Sequence, residues 1–357
     1  MRLRDYIIRR LLLLIPVLIG VSVMTFALTR LIGGPLGAAS IYINEKCLQS
    51  DTCIDAVIHK YGFDQPIPIQ YVNYMKALLQ GDLGYSKSAK LLVTDAITSK
   101  MPATFELASA AMVIAVVFAL PLGVLSATRR NKPVDHATRV LALSGVSIPV
   151  FWLGLMLKYL LFYFPFIYLG IKLLPIDGRA TSGMYGICTS RVSFPLCAST
   201  NLYTVDAILA LNGTALWDAV SHLILPALTL AFVTMAIIVR MMRSSMLEVL
   251  NQEYIKTARS KGLSEKVVIK KHARRNALIP TTTVIGLSFG GLLGGAVLTE
   301  SIFTWPGIGR WSADAVTQFD PAAIMGFTLV AAVVYVVANL VVDVLYAYLD
   351  PRIRLGE

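Results

Sequence analysis

Charged side chains are scarce in this chain. They make up 15% of 357 residues, where a soluble domain of similar length carries about a quarter. Enzyme signatures are missing altogether: there is no GxSxG, no HExxH and no GxxxxGK[ST] phosphate loop. The four histidines, His59, His136, His222 and His272, are scattered, and none stands beside a nucleophile. The cysteines form no CxxC and have no zinc-ligand spacing to a histidine. No catalytic residue and no metal site is therefore expected, and if ATP drives this protein, another chain binds it. Carboxylates deep in apolar runs, which a proton- or sodium-coupled carrier would use, are lacking too. Glu106, Lys158 and Asp343 each lie near the end of a run, where snorkelling reaches an interface.

What is present is apolar. The chain is 56% hydrophobic with a mean hydropathy of +0.68, and its apolar residues cluster in runs of about 20, the length an α-helix needs to cross a bilayer. Six spans are expected, near 11–29, 103–128, 140–161, 220–239, 277–298 and 322–346. Barrel strands are short and alternating, so the fold class is an all-α polytopic membrane protein. Residues 162–174 are apolar but short and contain Pro165; they read as a continuation of the third helix followed by an external segment. Arg9 and Arg10 before an apolar run resemble a signal peptide. The run is longer than a signal core and reads as an uncleaved first span, with residues 37–40 as the alternative cleavage site.

With both termini cytosolic, the inner pieces are 1–10, 129–139, 240–275 and 349–357. They hold 20 of the 32 basic residues and only seven of the 21 acids, the asymmetry of the positive-inside rule. That rule accounts for the net charge of +11 without a nucleic-acid partner. All four cysteines then fall in the two long outer loops, where neighbouring thiols oxidise. The local pairing, Cys47–Cys53 with Cys188–Cys197, is expected; four free thiols are the alternative. Asn212-Gly213-Thr214 forms a glycosylation sequon on the same side.

The long inner loop has internal structure. Ile255 and Ala258 share one face of a short amphipathic helix that begins near Glu253. Gly262 suits a left-handed helix stop, and Ser264-Glu265 suit the start of a second, basic helix. Such a helix–glycine–helix elbow can plug into a groove on a soluble partner; the alternative is a basic loop that only sets topology.

This loop resembles the "EAA" coupling loop of binding-protein-dependent ABC importer permeases: a small-residue pair (Thr257-Ala258), three residues, a glycine (Gly262), and later hydrophobic–Pro (Leu278-Ile279-Pro280). Lys256 stands where the general pattern has Glu, and Thr257 where it has Ala. A T-A-R-x-K-G core of this kind resembles the dipeptide/oligopeptide permease branch. Arg9-Arg10, Ile15-Pro16 and Thr25-Phe26 resemble the opening of its B-type subunits. So do the segments 81–84 (GDLG), 240–246 (RMMRSSM), 299–307 (TESIFTWPG) and 350–352 (DPR). The loops near 42–60 and 165–215 depart from the pattern.

The resemblance implies a type I ABC importer permease in a prokaryotic plasma membrane. Residues 1–102 would form the first span with an extracellular region. Residues 103–357 would form the core permease, with an external insertion at about 165–215 and the coupling loop at 240–275. The implied partners are a sister permease, two ATP-binding subunits that use ATP and Mg, an extracellular solute-binding protein and the lipid bilayer. Glu253, Thr257, Ala258, Gly262 and Leu263 would contact the ATPase. Gly286, Gly290 and Gly294, four apart, would let another helix pack closely or would line the path. Trp305, Pro306 and Gly307 would belong to the outer gate or meet the binding protein; a rigid turn with an interfacial tryptophan is the alternative. Substrates implied for this branch are di- and oligopeptides, with oligosaccharides or nickel chelates as the alternative. A solitary secondary carrier and a membrane-embedded enzyme are the rivals from other classes.

Overall fold

The computed structural model describes residues 12–13, 15–27, 39–43, 47, 50–186, 196–197 and 200–349, and these are mostly helical. The first helix among the described residues is the short apolar α1 (Ile15–Ala27). Helices α2 (Asp51–Tyr61) and α3 (Ile67–Leu79) follow, then an antiparallel hairpin of two-residue strands, β1 (Tyr85–Ser86) and β2 (Leu91–Leu92). The body comprises α4 (Val93–Thr128), α5 (Pro133–Ser147), α6 (Val150–Leu169), a loop in which β3 (Tyr185–Gly186) pairs with β4 (Leu196–Cys197), α7 (Tyr203–Leu209) and α8 (Gly213–Leu250). The chain then forms α9 (Glu253–Ser260), α10 (Glu265–Leu293), α11 (Val297–Ile302), α12 (Ile308–Thr317) and α13 (Pro321–Leu349). Among the described residues, α4, α6, α8, α10 and α13 are long and apolar enough to cross a membrane. Of the expected first span, α1 is the main described part; residues 11, 14, 28 and 29 lie outside the described residues.

The third expected span is corrected. It is divided into α5 and α6, because Pro149 pushes Ile148 into extended backbone (φ −77°, ψ 125°) and ends the first piece. Past Pro149 the helix continues through a π-turn at Tyr159–Tyr163 and stops only at Gly170, in left-handed conformation. Pro165 is accommodated in the first turn after that π-turn. The boundary expected between residues 102 and 103 falls inside α4, which runs unbroken through Pro102 and Pro121.

The core is built on small side chains. Ala103, Ala111, Ala115 and Ala119 of α4 are buried with Leu223, Ala227, Leu230 and Ala231 of α8. A methyl group at Gly123 would come within 2.7 Å of Met242 Cβ, and one at Gly145 within 2.6 Å of Ala236 Cβ. Lipid offers helices no hydrophobic drive to associate, so close contact of this kind is what holds them. The glycines of α10 are used likewise. A methyl at Gly290 would lie 2.7 Å from Ala338 Cβ, and one at Gly286 would overlap Val342. These two therefore admit α13 of the same chain, whereas Gly294 meets only its own helix's carbonyls. Beside this contact, α4, α10 and α13 enclose an apolar groove of about 690 Å³, lined by Phe105, Met112, Val113, Phe289, Val333 and Val337.

Gly286→Leu forces α10 and α13 apart and is expected to destabilise by about 1–3 kcal/mol. Thermal unfolding of the purified chain, followed by loss of the monodisperse peak, measures it; an unchanged midpoint would mean the two helices are not in contact.

Candidate functional site

Two regions gather the residues singled out in the sequence, one at each end of the helical body. At the end bearing the basic loop, α9 and the start of α10 form the elbow. Gly262 separates them with φ +76°, the left-handed stop expected there. The inner face is apolar: Ile255, Ala258, Val268, Ala273 and Ala277 are buried against Ala127, Met242 and Met246. Val268 and Ala273, five apart, share this face because residues 268–273 form a π-turn, whose period is longer than that of an α-helix. Two charged contacts brace the outer face. Arg259 grips Glu265 across the glycine turn through Nε (3.0 Å) and Nη2 (2.7 Å), and Lys256 Nζ bonds Glu253 at 2.7 Å. Of the expected contact residues, Glu253, Thr257, Gly262 and Leu263 are exposed, while Ala258 is buried. No atom lies within 4 Å of a Cβ built on Gly262, so its surface is open to a partner.

A buried carboxylate ties the elbow's foundations together. Asp135 of α5 accepts bonds from Arg243 Nε (2.7 Å) and Nη2 (3.0 Å), Ser126 Oγ (2.6 Å) and the Asn131 amide (3.0 Å). Arg243 above all, with Ser126 and Asn131, outweighs the cost of burial and holds this carboxyl well below the usual range. One ion pair thus joins α4, α5 and α8 where the elbow rests.

At the opposite end, α11 and α12 form a cap. Glu300 is 0% exposed. Thr104 Oγ1 donates to its Oε1 and the Arg310 amide to its Oε2, both at 2.8 Å. The carboxylate therefore sits at the N-terminus of α12, where free amides and the helix dipole favour negative charge. Burial raises its pKa, against the hydrogen bonds that pull it down. Gly307 is required here, because a Cβ would overlap Glu300 and Thr104. Thr104 also accepts from the Ile308 amide at 2.9 Å, so α4 and the cap share one hydroxyl. Trp305 is 1% exposed in the core, and its Nε1 donates to the Ala103 carbonyl at 2.9 Å. An interfacial tryptophan is thereby corrected: of the expected gate residues only Pro306 is exposed.

Glu106 and Lys158 are corrected as well; neither snorkels. Both are buried, and both bind the loop between α6 and α7. Arg179 donates to Glu106 Oε2 from Nε (2.8 Å) and Nη2 (2.6 Å), and the Thr204 amide and hydroxyl donate to Oε1. Lys158 Nζ bonds Asp177 at 2.9 Å and also the Ile302 carbonyl, while Thr304 Oγ1 donates to Asp177 at 2.8 Å. Two ion pairs thus pin the insertion onto α4, α6 and the cap. Asp177 and Arg179 escaped the sequence reading. Their signal was an Asp-x-Arg in the loop facing two unpaired span charges of opposite sign.

The rest of this end is also cross-braced. Asp320 is buried and accepts from Ser86 Oγ, the Ser88 amide and Ser88 Oγ at 2.8–2.9 Å, joining the β1–β2 hairpin to the start of α13. Gly84, with φ +86°, allows its turn to press on Ile41. Cys47 and Cys53 form a disulfide; Cys188 lies outside the described residues. Asn212 is the N-cap of α8, accepting from the Ala215 amide at 3.1 Å. Among the described residues no three His, Cys, Asp or Glu side chains converge as a metal site.

Comparison with known proteins follows the same outline. The family described as "Binding-protein-dependent transport system inner membrane component" matches residues 119–355, and the companion N-terminal family matches residues 3–108. The dipeptide transport system permease protein DppB of Alkalihalophilus pseudofirmus is 42% identical over 349 residues, covering 98% of this chain and 99% of that one. The probable D,D-dipeptide transport system permease protein DdpB of Escherichia coli K12 is 41% identical over 343 residues, 96% of this chain and 95% of its own. The oligopeptide transport system permease protein AppB of Bacillus subtilis is 36% identical over 351 residues, covering 98% and 99%.

Two outcomes are expected from these buried pairs. Glu106→Gln leaves Arg179 buried without its counter-charge and destabilises by about 3–5 kcal/mol, whereas Glu106→Gln with Arg179→Met costs markedly less; denaturation midpoints of the three proteins decide it. Asp135 has a depressed folded pKa, so its contribution is present above the unfolded value of about 3.9 and is lost as pH falls toward the folded one. Asp135→Asn is therefore less stable than the parent at pH 7, and the gap narrows below about pH 4. A gap independent of pH would refute the charge-based account.

Proposed function

This chain belongs to the family of binding-protein-dependent transport system inner-membrane components, and from that premise we propose how it works as a permease subunit of an ATP-driven importer. Short peptides are the cargo, as the names of relatives alike over nearly the whole chain indicate. In this reading the chain has six spans in the type I arrangement, with both termini and the elbow in the cytosol of a prokaryotic cell. The clustering of basic residues at the elbow end supports this orientation, and the disulfide at the other end supports an oxidising exterior. A sister permease completes the path, two ATPase subunits bind ATP and Mg beneath it, and a solute-binding protein delivers substrate from outside.

The observation that carries the mechanism is the continuity of α10. It runs as one helix of 29 residues from Glu265 in the elbow to Leu293 below the cap, about 43 Å at 1.5 Å per residue. An ATPase that closes on the exposed face of the elbow (Thr257, Gly262 and Leu263) pushes a rod. Ala258 and Ile255 transmit the load to α8, and the far end of the rod leads directly into α11 and the Glu300 cradle. The cap is bonded to α4 through Thr104, so movement of α10 is felt where substrate enters. Alternating access follows when the two ends respond together.

Affinity purification of the tagged chain from its native membrane, with mass spectrometry of the companions, tests this reading. A sister permease and ATPase subunits are expected. Thr257→Arg or Gly262→Arg is expected to release the ATPases while retaining the sister permease. A chain that purifies alone and still transports with Gly262→Arg would overturn the importer reading in favour of a solitary carrier.

A further inference from the structure

Four cations at the foot of α10 play no part in the elbow's own bracing. Lys270, Lys271, Arg274 and Arg275 are all exposed, and among the described residues none has a carboxylate within ion-pair distance. The two acids of the elbow are already held, Glu253 by Lys256 and Glu265 by Arg259. The π-turn decides where these side chains point. By putting Val268 and Ala273 on one buried face, it turns 270, 271, 274 and 275 to the opposite side together.

Their height is set by the helix. Ala277 is the first residue of the apolar run, and at about 1.5 Å per residue Arg274 and Arg275 lie about 3–5 Å beyond it, with Lys270 and Lys271 about 9–11 Å beyond. The polar layer of a bilayer leaflet is about 5–8 Å deep. The two arginines therefore fall within the headgroups and the two lysines at their outer edge. Arginine presents a planar fork that matches phosphate oxygens, and lysine a mobile point charge.

We propose that this face is a binding site for anionic phospholipid headgroups, with Arg274 and Arg275 on the phosphates and Lys270 and Lys271 in the field of the charged surface. Lipid rather than free phosphate is the occupant because the cations stand in a graded row on the very helix that enters the hydrocarbon. The site goes beyond the transport reading: it makes the level at which the elbow rides depend on the composition of the inner leaflet.

Delipidated full-length chain in mild detergent is titrated with phosphatidylglycerol or phosphatidylcholine, and bound lipid is counted by native mass spectrometry. The parent should retain phosphatidylglycerol at least about tenfold better, a preference that falls between low and high salt. The variant K270Q/K271Q/R274Q/R275Q should lose that preference, and the charge-preserving K270R/K271R/R274K/R275K should keep most of it. Equal retention of the two lipids by the parent would overturn the proposal. So would a glutamine variant with undiminished preference, or displacement of the lipid by millimolar inorganic phosphate. Should the glutamine variant not fold, the parent's lipid preference and its salt dependence decide alone.

Discussion

Two long apolar helices, α4 and α8, lie close against each other because the faces they share are rich in alanine, with Gly123 where Met242 crosses. Everything else is arranged around that contact. In lipid, nothing squeezes helices together as water does, so the backbone approach permitted by Ala103, Ala111, Ala115, Ala227 and Ala231 supplies much of the association. The pair is tied to other elements by polar side chains near its ends, whereas the buried Thr229 and Thr234 midway along α8 bond to carbonyls of their own helix. Thr104 and Glu106 serve the cap and the insertion at one end, and Ser126 joins the Asp135–Arg243 pair at the other.

The charges obey the same economy of position. A carboxylate in hydrocarbon is costly unless it is paired and fully hydrogen-bonded, and Glu106 meets both conditions with Arg179 and Thr204. Lys158 does so with Asp177 and the Ile302 carbonyl. Glu300 follows a different route, with backbone amides and a hydroxyl in place of a cation. This leaves its pKa raised by burial, whereas the arginine-bound Asp135 lies below the usual range. Both of the span charges fasten the loop between α6 and α7 to the helices that carry them.

Much of this could be read from the residues in order. Length and apolarity located the spans α4, α8, α10 and α13, because hydrocarbon thickness is a one-dimensional constraint. The elbow's glycine stop at Gly262 and the inward pair Ile255 and Ala258 followed from periodicity. The split of the third span did not, since a proline can end a helix, as Pro149 does, or sit within one that runs on, as Pro102 and Pro121 do in α4, and local pattern does not decide between them. The roles of Trp305 and Glu106 were hidden for another reason. Their partners, the Ala103 carbonyl and Arg179, lie 202 and 73 residues away, and local pattern carries no record of such distances.

That separation of 73 residues has a consequence for biogenesis. Glu106 enters the membrane long before the ribosome reaches Arg179, and at about 5–20 residues per second the delay is roughly 4–15 s. Lys158 waits for Asp177 in the same way, though only 19 residues behind. During that interval the carboxylate of α4 has been made and its guanidinium partner has not. The loop between α6 and α7 thus closes a charge balance that synthesis leaves open: Glu106 and Lys158 acquire their counter-charges only once residues 177–179 have been added.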